Sequence, residues 1–242
     1  MPLDPNWLRP DWPEVTAFMT TRGINLGRKA GDAEEVRTNR ARVAGLLGAR
    51  PVFLDQVHGA HVVRLQPGWH DDNAPKADAA VSTDPDLAVA ILVADCLPVL
   101  FTAPGGVAGA HAGWRGLAAG VLENTVAALC KAASCEPHQV KAWLGACIGP
   151  EAFEVGPEVV QAFGREPLAR DQPGFLYRPN PEPRWRADLP LLARERLISV
   201  NVTQISGGSW CTLTDDSRFF SFRGEALGRP RGRMAACIAL SR

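Results

Sequence analysis

The chain has 242 residues, 46% of them hydrophobic, enough to bury a substantial core as one large domain or two small ones. Its 26 Lys and Arg balance 26 Asp and Glu, so no mean field draws it to nucleic acid or to an anionic membrane. The cysteines at 96, 130, 135, 147, 211 and 237 lack the spacing of a disulfide scaffold and form no CxxC pair, which points to a reducing compartment.

Residues 1–14 carry four prolines and three acidic residues and lack both the basic start and the apolar centre of a secretory signal. They read as an extended lead-in to a soluble, cytoplasmic protein, with residues 15–20 the first strand. TTRGINLG makes a turn. Asp32 with Glu35 resembles a capping box, and Val36, Arg40, Val43 and Leu47 mark one side of a helix that stops at Gly48. Residues 51–57 read as a strand, after which His58 and His61 flank a turn at Gly59 and residues 62–65 continue extended. Residues 67–77 are a polar surface loop, and residues 79–82 another strand.

The stretch from Leu87 to Cys130 organises the chain. Leu87 to Val93 is continuously apolar and rich in branched residues, the pattern of a fully buried strand, and Asp95 and Cys96 follow at its end. After a turn at Pro104, Gly105 and Gly106, a second apolar run leads into His111. Leu117, Val121, Leu122, Val126 and Leu129 share one helical face, which predicts a single helix. His111, Trp114 and Arg115 therefore fall in a glycine-rich strand-to-helix turn, where backbone approaches a ligand closely and a helix start favours an anion.

Further on, residues 140–144 read as a strand and Pro157 opens a short helix through Phe163. Residues 165–186 hold five prolines and little periodicity, the mark of a long loop. Asp188 caps a helix carrying Leu189, Leu192, Arg196 and Leu197; residues 202–205, 210–213, 218–222 and 234–240 read as strands. With no repeat and no linker, the expectation is one α+β domain over residues 1–242 with mixed sheets.

Five histidines are present, and His61, His70 and His138 stand in polar or turn surroundings that imply exposure. His58, Cys96 and His111 each end an apolar run. One thiolate and two imidazoles leave a fourth position open, the arrangement of a catalytic zinc rather than a structural one. The bland alternative is a buried cysteine and two hydrogen-bonded histidines, since the sequence spacing proves nothing.

The segments QVHGAHVV, ADCLPVLF, GAHAGWRGLAAGV, CIGPEAFEVGPEV, CTLTDDSRFFSFR and GRM, in that order, resemble the YfiH-type laccase-domain family, also called the polyphenol oxidase or purine nucleoside phosphorylase family. The resemblance implies two mixed β-sheets between helical layers (α/β/β/α), a monomer, and His58, Cys96 and His111 as zinc ligands. It further implies phosphorolysis of adenosine, guanosine, inosine and methylthioadenosine, with adenosine deamination as an added activity. The chain departs from the family in a short GINLG turn, where relatives carry a longer insertion, and in SFRGEALGRPRGRM, which keeps Arg223 but displaces a second arginine.

Phosphorolysis needs an anion held beside a sugar whose anomeric carbon becomes positive. Arg115 is the first candidate for that contact, with Arg22 and Asn25 after it; a surface salt bridge is the alternative for Arg115. Asp95 is a candidate to order a ligand or move protons, or simply fixes a turn. Trp114 either stacks on a base or caps the core, and Cys147 is packing that a glycine-flanked position brings near a pocket. Arg218, Arg223, Arg229, Arg231 and Arg233, interleaved with acidic residues, read as a solvated edge rather than a phosphate site. Three rivals remain. Cys96 and His111 without metal suit a cysteine amidase acting on a muropeptide, in line with the family's link to peptidoglycan editing. Two histidines and a cysteine also match a blue-copper set, which keeps copper open as the ion. A non-enzymatic binding module is the third.

Overall fold

The computed structural model describes residues 3–69, 73–179 and 181–241, so His70 lies outside the described residues. Strand β5 (Leu87–Val93) separates two layers of core. Leu87, Val89, Ile91 and Val93 face one apolar cluster and Ala88 and Ala90 another, as the two-residue period of a pleated strand requires. It belongs to a four-stranded mixed sheet with β1 (Val15–Met19), β2 (Arg50–Phe53) and β13 (Met234–Leu240), in the order β1-β13-β5-β2. Only β2 runs parallel to its neighbour.

The second sheet has six strands: β3 (Val62–Arg64), β4 (Ala79–Ser82), β6 (Leu97–Ala103), β7 (Gly106–Ala112), β8 (Lys141–Leu144) and β12 (Gln204–Gly207), ordered β12-β8-β6-β7-β4-β3. The two sheets face each other across a shared cluster, Val89, Ile91, Ala236 and Ile238 from the first against Ala80, Leu100, Val107 and Trp143 from the second. Helix α1 (Ala33–Leu47) covers the outer face of the first sheet with Val43 and Leu47. Helices α3 (Val121–Ala133) and α5 (Leu189–Ser199) cover the outer face of the second through Leu122, Val126, Leu129, Leu192 and Leu197. This is the expected mixed α+β arrangement of two sheets between helical layers. Among the described residues no helix is long and apolar enough to cross a membrane.

Several elements differ from expectation. The helix predicted from Leu117 to Leu129 is two, α2 (Trp114–Ala118) and α3, because Gly120 takes φ 89° and breaks the ladder while the apolar face carries on. His111 lies inside β7, one strand residue before its end, rather than in the turn. Leu97 to Ala103, silent in the sequence reading, forms β6. The proline-rich loop contains an antiparallel pair, β10 (Phe175–Arg178) and β11 (Arg184–Ala187), which joins β9 (Glu154–Val155) in a third sheet; its prolines sit outside the paired residues. Residues 210–213 and 218–222 are not strands. Their aromatic content serves burial of Phe219 and Phe220, while Asp215 and Phe219 amides close turns on Cys211 and Asp215 carbonyls.

The two sheets approach closely at Gly109, where a Cβ would stand 2.9 Å from Val89 Cγ1 and 3.0 Å from Ile91 Cγ1. Gly109→Ala should therefore cost about 1–3 kcal/mol by overpacking. Urea unfolding of this variant, of Val89→Ala and of the pair tests it: the double variant should be more stable than the sum of the single losses, and additive losses would place the strain elsewhere.

Candidate metal centre and its cleft

The turn after β5 carries Ala94, Asp95 and Cys96 from the four-stranded sheet into β6 of the six-stranded one, so Cys96 stands where the sheets part. Asp95 adopts φ 87°, a left-handed conformation uncommon for a residue with a side chain. Its carboxylate holds that shape, accepting from the Thr212 hydroxyl at 2.6 Å and the Arg223 amide at 2.6 Å, while its carbonyl accepts from the Ile148 amide at 2.9 Å. Both oxygens are engaged, so Asp95 acts on the site by positioning the next residue. His111 arrives from the neighbouring strand β7 and is almost fully buried. His58 arrives on an exposed loop at φ 62°.

These three residues, widely separated in the sequence, bring one sulfur and two ring nitrogens within 4.8 Å of one another. The two imidazoles meet edge to face, with ring centroids 4.8 Å apart. Bonds of ~2.0–2.3 Å to a tetrahedral ion place its donors roughly 3.3–3.7 Å apart, so from a separation of up to 4.8 Å the side chains need to close by about 1.5 Å at most to take a divalent cation. Among the described residues this is the group of three or more such side chains that could hold one.

The residue that builds the arrangement is Asp78, fully buried directly before β4. One carboxylate oxygen accepts from the His58 amide and from His111 Nδ1, both at 2.8 Å; the other accepts from the amides of Val57 at 3.2 Å and Gly59 at 2.6 Å. Four donors on one buried carboxylate fix the His58 loop and the His111 ring together. With Nδ1 turned to Asp78, Nε2 of His111 faces the centre. Burial works against the ionised form of Asp78, but the hydrogen bond from His111 and those of the loop amides overcome it and hold its carboxyl below the usual range. Asp78 was missed in the sequence; the available signal was a lone acid between Ala77 and Ala79 at the mouth of an apolar strand.

Glycines make the room. A Cβ on Gly113 would sit 2.9 Å from Cys96 Sγ and 3.3 Å from His58 Cδ2, and one on Gly116 would meet the Gly59 carbonyl at 2.6 Å. The two outer glycines of the HAGWRG segment are therefore spaces that the Cys96 and His58 loops fill.

The centre opens into a cleft of about 1000 Å³. Trp114, Phe153, Leu189 and Phe222 give it apolar walls, and Arg115 and Arg223 line it near the three ligands. Arg115 is exposed and lies over Trp114 at 4.2 Å, not in the salt bridge that was its alternative. Two expected contacts are not there: neither Arg22 nor Asn25 lines the cleft. The Arg22 guanidinium bonds the Asp216 carbonyl. Asn25 is buried and holds the Gly27 amide, the Ala30 carbonyl and the Arg233 amide at 3.0, 2.9 and 2.9 Å, which makes it a loop clamp. His61 and His138 are exposed, as expected. Cys147 is fully buried behind the site, and burial raises its thiol pKa well above the ordinary value.

A sequence profile described as multi-copper polyphenol oxidoreductase laccase matches residues 17–241. The chain belongs to this family. Among its relatives, purine nucleoside phosphorylase YfiH of Escherichia coli (strain K12) is 42% identical over 249 residues, spanning 96% of this chain and 97% of its own. A purine nucleoside phosphorylase of Pseudomonas aeruginosa is 43% identical over 250 residues, spanning 97% and 98%. The crystal structure of a Neisseria meningitidis protein superposes with a TM-score of 0.83 at 36% identity, covering 98% of this chain and all of that one. The matched residues 17–241 include His58, Cys96 and His111.

The charges of these side chains follow from their packing. Burial opposes ionisation of Cys96, but hydrogen bonds from His111 and His58 and their charge bring the thiol down to about 6. Burial likewise opposes the charged form of His111, and the bonds to Asp78 and Cys96 outweigh it, lifting the imidazole to about 9. The Cys96 contribution to stability is lost as pH falls through about 6, and that of His111 as pH rises through about 9, so the ion pair stabilises the fold between those limits. A divalent cation taken up by this pair would displace the His111 proton, while the thiolate is already formed. Uptake at pH 7.5 should release about one proton from that pair, and affinity should rise with pH up to about 9. Calorimetry in buffers of different ionisation heat measures the count. Asp78→Asn should weaken metal binding about 10–100-fold, with near-native circular dichroism; unchanged affinity would remove Asp78 from this role.

Proposed function

We propose that the chain is a zinc-dependent purine nucleoside phosphorylase, a cytoplasmic monomer acting on adenosine, guanosine, inosine and methylthioadenosine, with adenosine deamination as a second activity of the same site. One observation carries this reading: a sulfur and two imidazole nitrogens converge at the floor of a cleft walled by aromatic and arginine side chains. Relatives named purine nucleoside phosphorylase, 36% to 43% identical over nearly the whole chain, support it.

A thiolate with two imidazoles suits zinc, and three protein donors leave one position for a substrate. Zinc bound there would supply Lewis acidity beside the reacting sugar. The chain's own residues do the rest. Arg115 and Arg223 offer guanidinium forks that match a phosphate and keep its charge close to the anomeric carbon. Trp114, Phe153 and Phe222 give the purine apolar faces that exclude water. In the reaction the bond from the anomeric carbon to the base nitrogen breaks and a phosphate oxygen bonds to that carbon. The proton of the phosphate hydroxyl goes to the departing base, which balances the transfer.

The family description names several coppers. The metal group among the described residues holds two imidazoles and one thiolate, which makes a mononuclear site. A further reading has one observation in its favour: without metal, the thiolate of Cys96 beside the His111 imidazolium is the pairing of a cysteine amidase, for which peptidoglycan precursors would be the substrate. Metal content separates them, since a thiolate bound to a stoichiometric ion is not a free nucleophile.

The purified protein should hold about one zinc per chain and release hypoxanthine from inosine only with phosphate present. Chelation should abolish release and zinc restore it. Cys96→Ala should lower the rate more than about a hundredfold, because loss of a ligand's supporting partner alone costs 10–100-fold. Base release indifferent to phosphate or to metal would overturn the reading.

A further inference from the structure

The cleft is longer than the metal centre needs, and its other arm is basic. Arg28 and Lys29, on the loop after β1, and Arg231 and Arg233, leading into β13, all line it. Register places that arm: Met234 pairs with Val93, so Arg233, one residue before β13, comes next to the level of Ala94, two residues short of Cys96. The arm therefore runs alongside the metal centre within the same cleft.

Two observations separate this arm from the solvated edge expected for the arginine cluster. First, its loop is held from within by buried polar side chains. Asn25 ties the Gly27 amide, the Ala30 carbonyl and the Arg233 amide, and Arg40 donates twice to the Leu26 carbonyl at 3.1 and 2.8 Å. Gly27 lets the two segments meet, for a Cβ there would stand 2.7 Å from Arg233 Cγ. Because both buried side chains are hydrogen-bonded, the loop is held in one shape and presents Arg28 and Lys29 from a fixed frame. Second, the charges at the tip are weakly engaged by the protein. Lys29 is 93% exposed with Asp55 at 3.9 Å, and Arg231 is 60% exposed with Glu225 at 3.7 Å. Arg233, by contrast, is held at 2.7 Å by Glu225 and completes the frame.

We infer that this arm is a second phosphoryl-binding subsite, with Lys29 and Arg231 as its contacts and Asn25, Arg40 and Arg233 as its frame. It rests on the nucleoside reading of the metal centre and extends it. Chemistry fixes the ligand class as a phosphoryl group, and because Arg115 and Arg223 already take the free co-substrate, the one bound here is carried on the ribose of the substrate. A phosphoryl on the ribose would make nucleoside 5′-phosphates substrates of the same centre.

The test uses zinc-loaded protein, the Lys29→Ser/Arg231→Ser variant and a control, Lys131→Ser, whose cation is exposed outside the cleft. Inorganic pyrophosphate is titrated calorimetrically into each, and KM is measured for inosine, phosphate and inosine 5′-phosphate. The double variant should bind pyrophosphate at least about tenfold more weakly than wild type and control, with a shallower dependence on salt. A matching rise in KM for inosine 5′-phosphate alone supports the ribose phosphoryl; a rise in KM for phosphate instead overturns a subsite separate from that of the co-substrate. Equal pyrophosphate affinities in all three proteins overturn the subsite. Wild-type protein that releases no base from any nucleoside overturns the nucleoside reading instead, and the titration still decides whether the arm binds phosphoryl groups.

Discussion

A single buried carboxylate sets the terms for the rest of the site. Asp78 has no access to water, and an ionised acid in that position survives only because four donors converge on it. Three are amides of consecutive residues, 57 to 59, which wrap the chain around the carboxylate and force His58 into a left-handed conformation. The fourth is the ring of His111. Loop and ring are thus tied to one atom group, so the distance between the two imidazoles is a property of Asp78 more than of either histidine. The same carboxylate increases the basicity of His111 and through it favours the thiolate of Cys96. Assembly, tautomer and charge have one origin.

The sulfur is placed by a different constraint. A chain that leaves one sheet and enters another must turn sharply where the layers separate, and such a turn cannot bury its own polar groups unaided. Asp95 meets that need by bonding Thr212 and the Arg223 amide, which draws in the segment after Cys211 and the short helix α6 (Phe222–Glu225). Two cleft residues, Phe222 and Arg223, are therefore fixed by the same bonds that aim Cys96. The turn that delivers the ligand also delivers part of the wall.

Much of this was legible in the chain because the relevant signals are local. The alternation in β5, the Asp32 and Asp188 caps, the glycine stop of α1 and the apolar face shared by α2 and α3 are written in neighbouring residues. That His58, Cys96 and His111 belong together was legible for a similar reason, each being a reactive side chain at the end of an apolar run. What escaped depends on partners far off in sequence. Asp78 looks like any acid at a strand start until His111, 33 residues on, is seen to bond it. Asn25 and Arg22 sit in a turn that resembles a binding loop, yet their groups close on Arg233 and Asp216, about two hundred residues away. The third sheet hid among prolines because the prolines stand between its strands and not in them.

The zero net charge of the whole chain conceals how its charge is arranged. Among the residues that line the cleft, seven carry lysine or arginine cations and two, Asp55 and Asp95, carry carboxylates, of which Asp95 is occupied by backbone and hydroxyl donors. A concave surface with low-dielectric walls focuses such a field, so a small anion meets a strongly positive site on a molecule that is neutral at long range. That separation of scales has a consequence for selectivity. A long polyanion gathers attraction from an extended basic face, whereas exterior arginines here face acids, as in the pairs of Arg218 with Asp215 and Arg229 with Asp216. A compact anion that fits inside the cleft escapes those acids and meets mainly the cations. Neutrality outside and positive charge within therefore act together to favour a compact anion over a long polyanion.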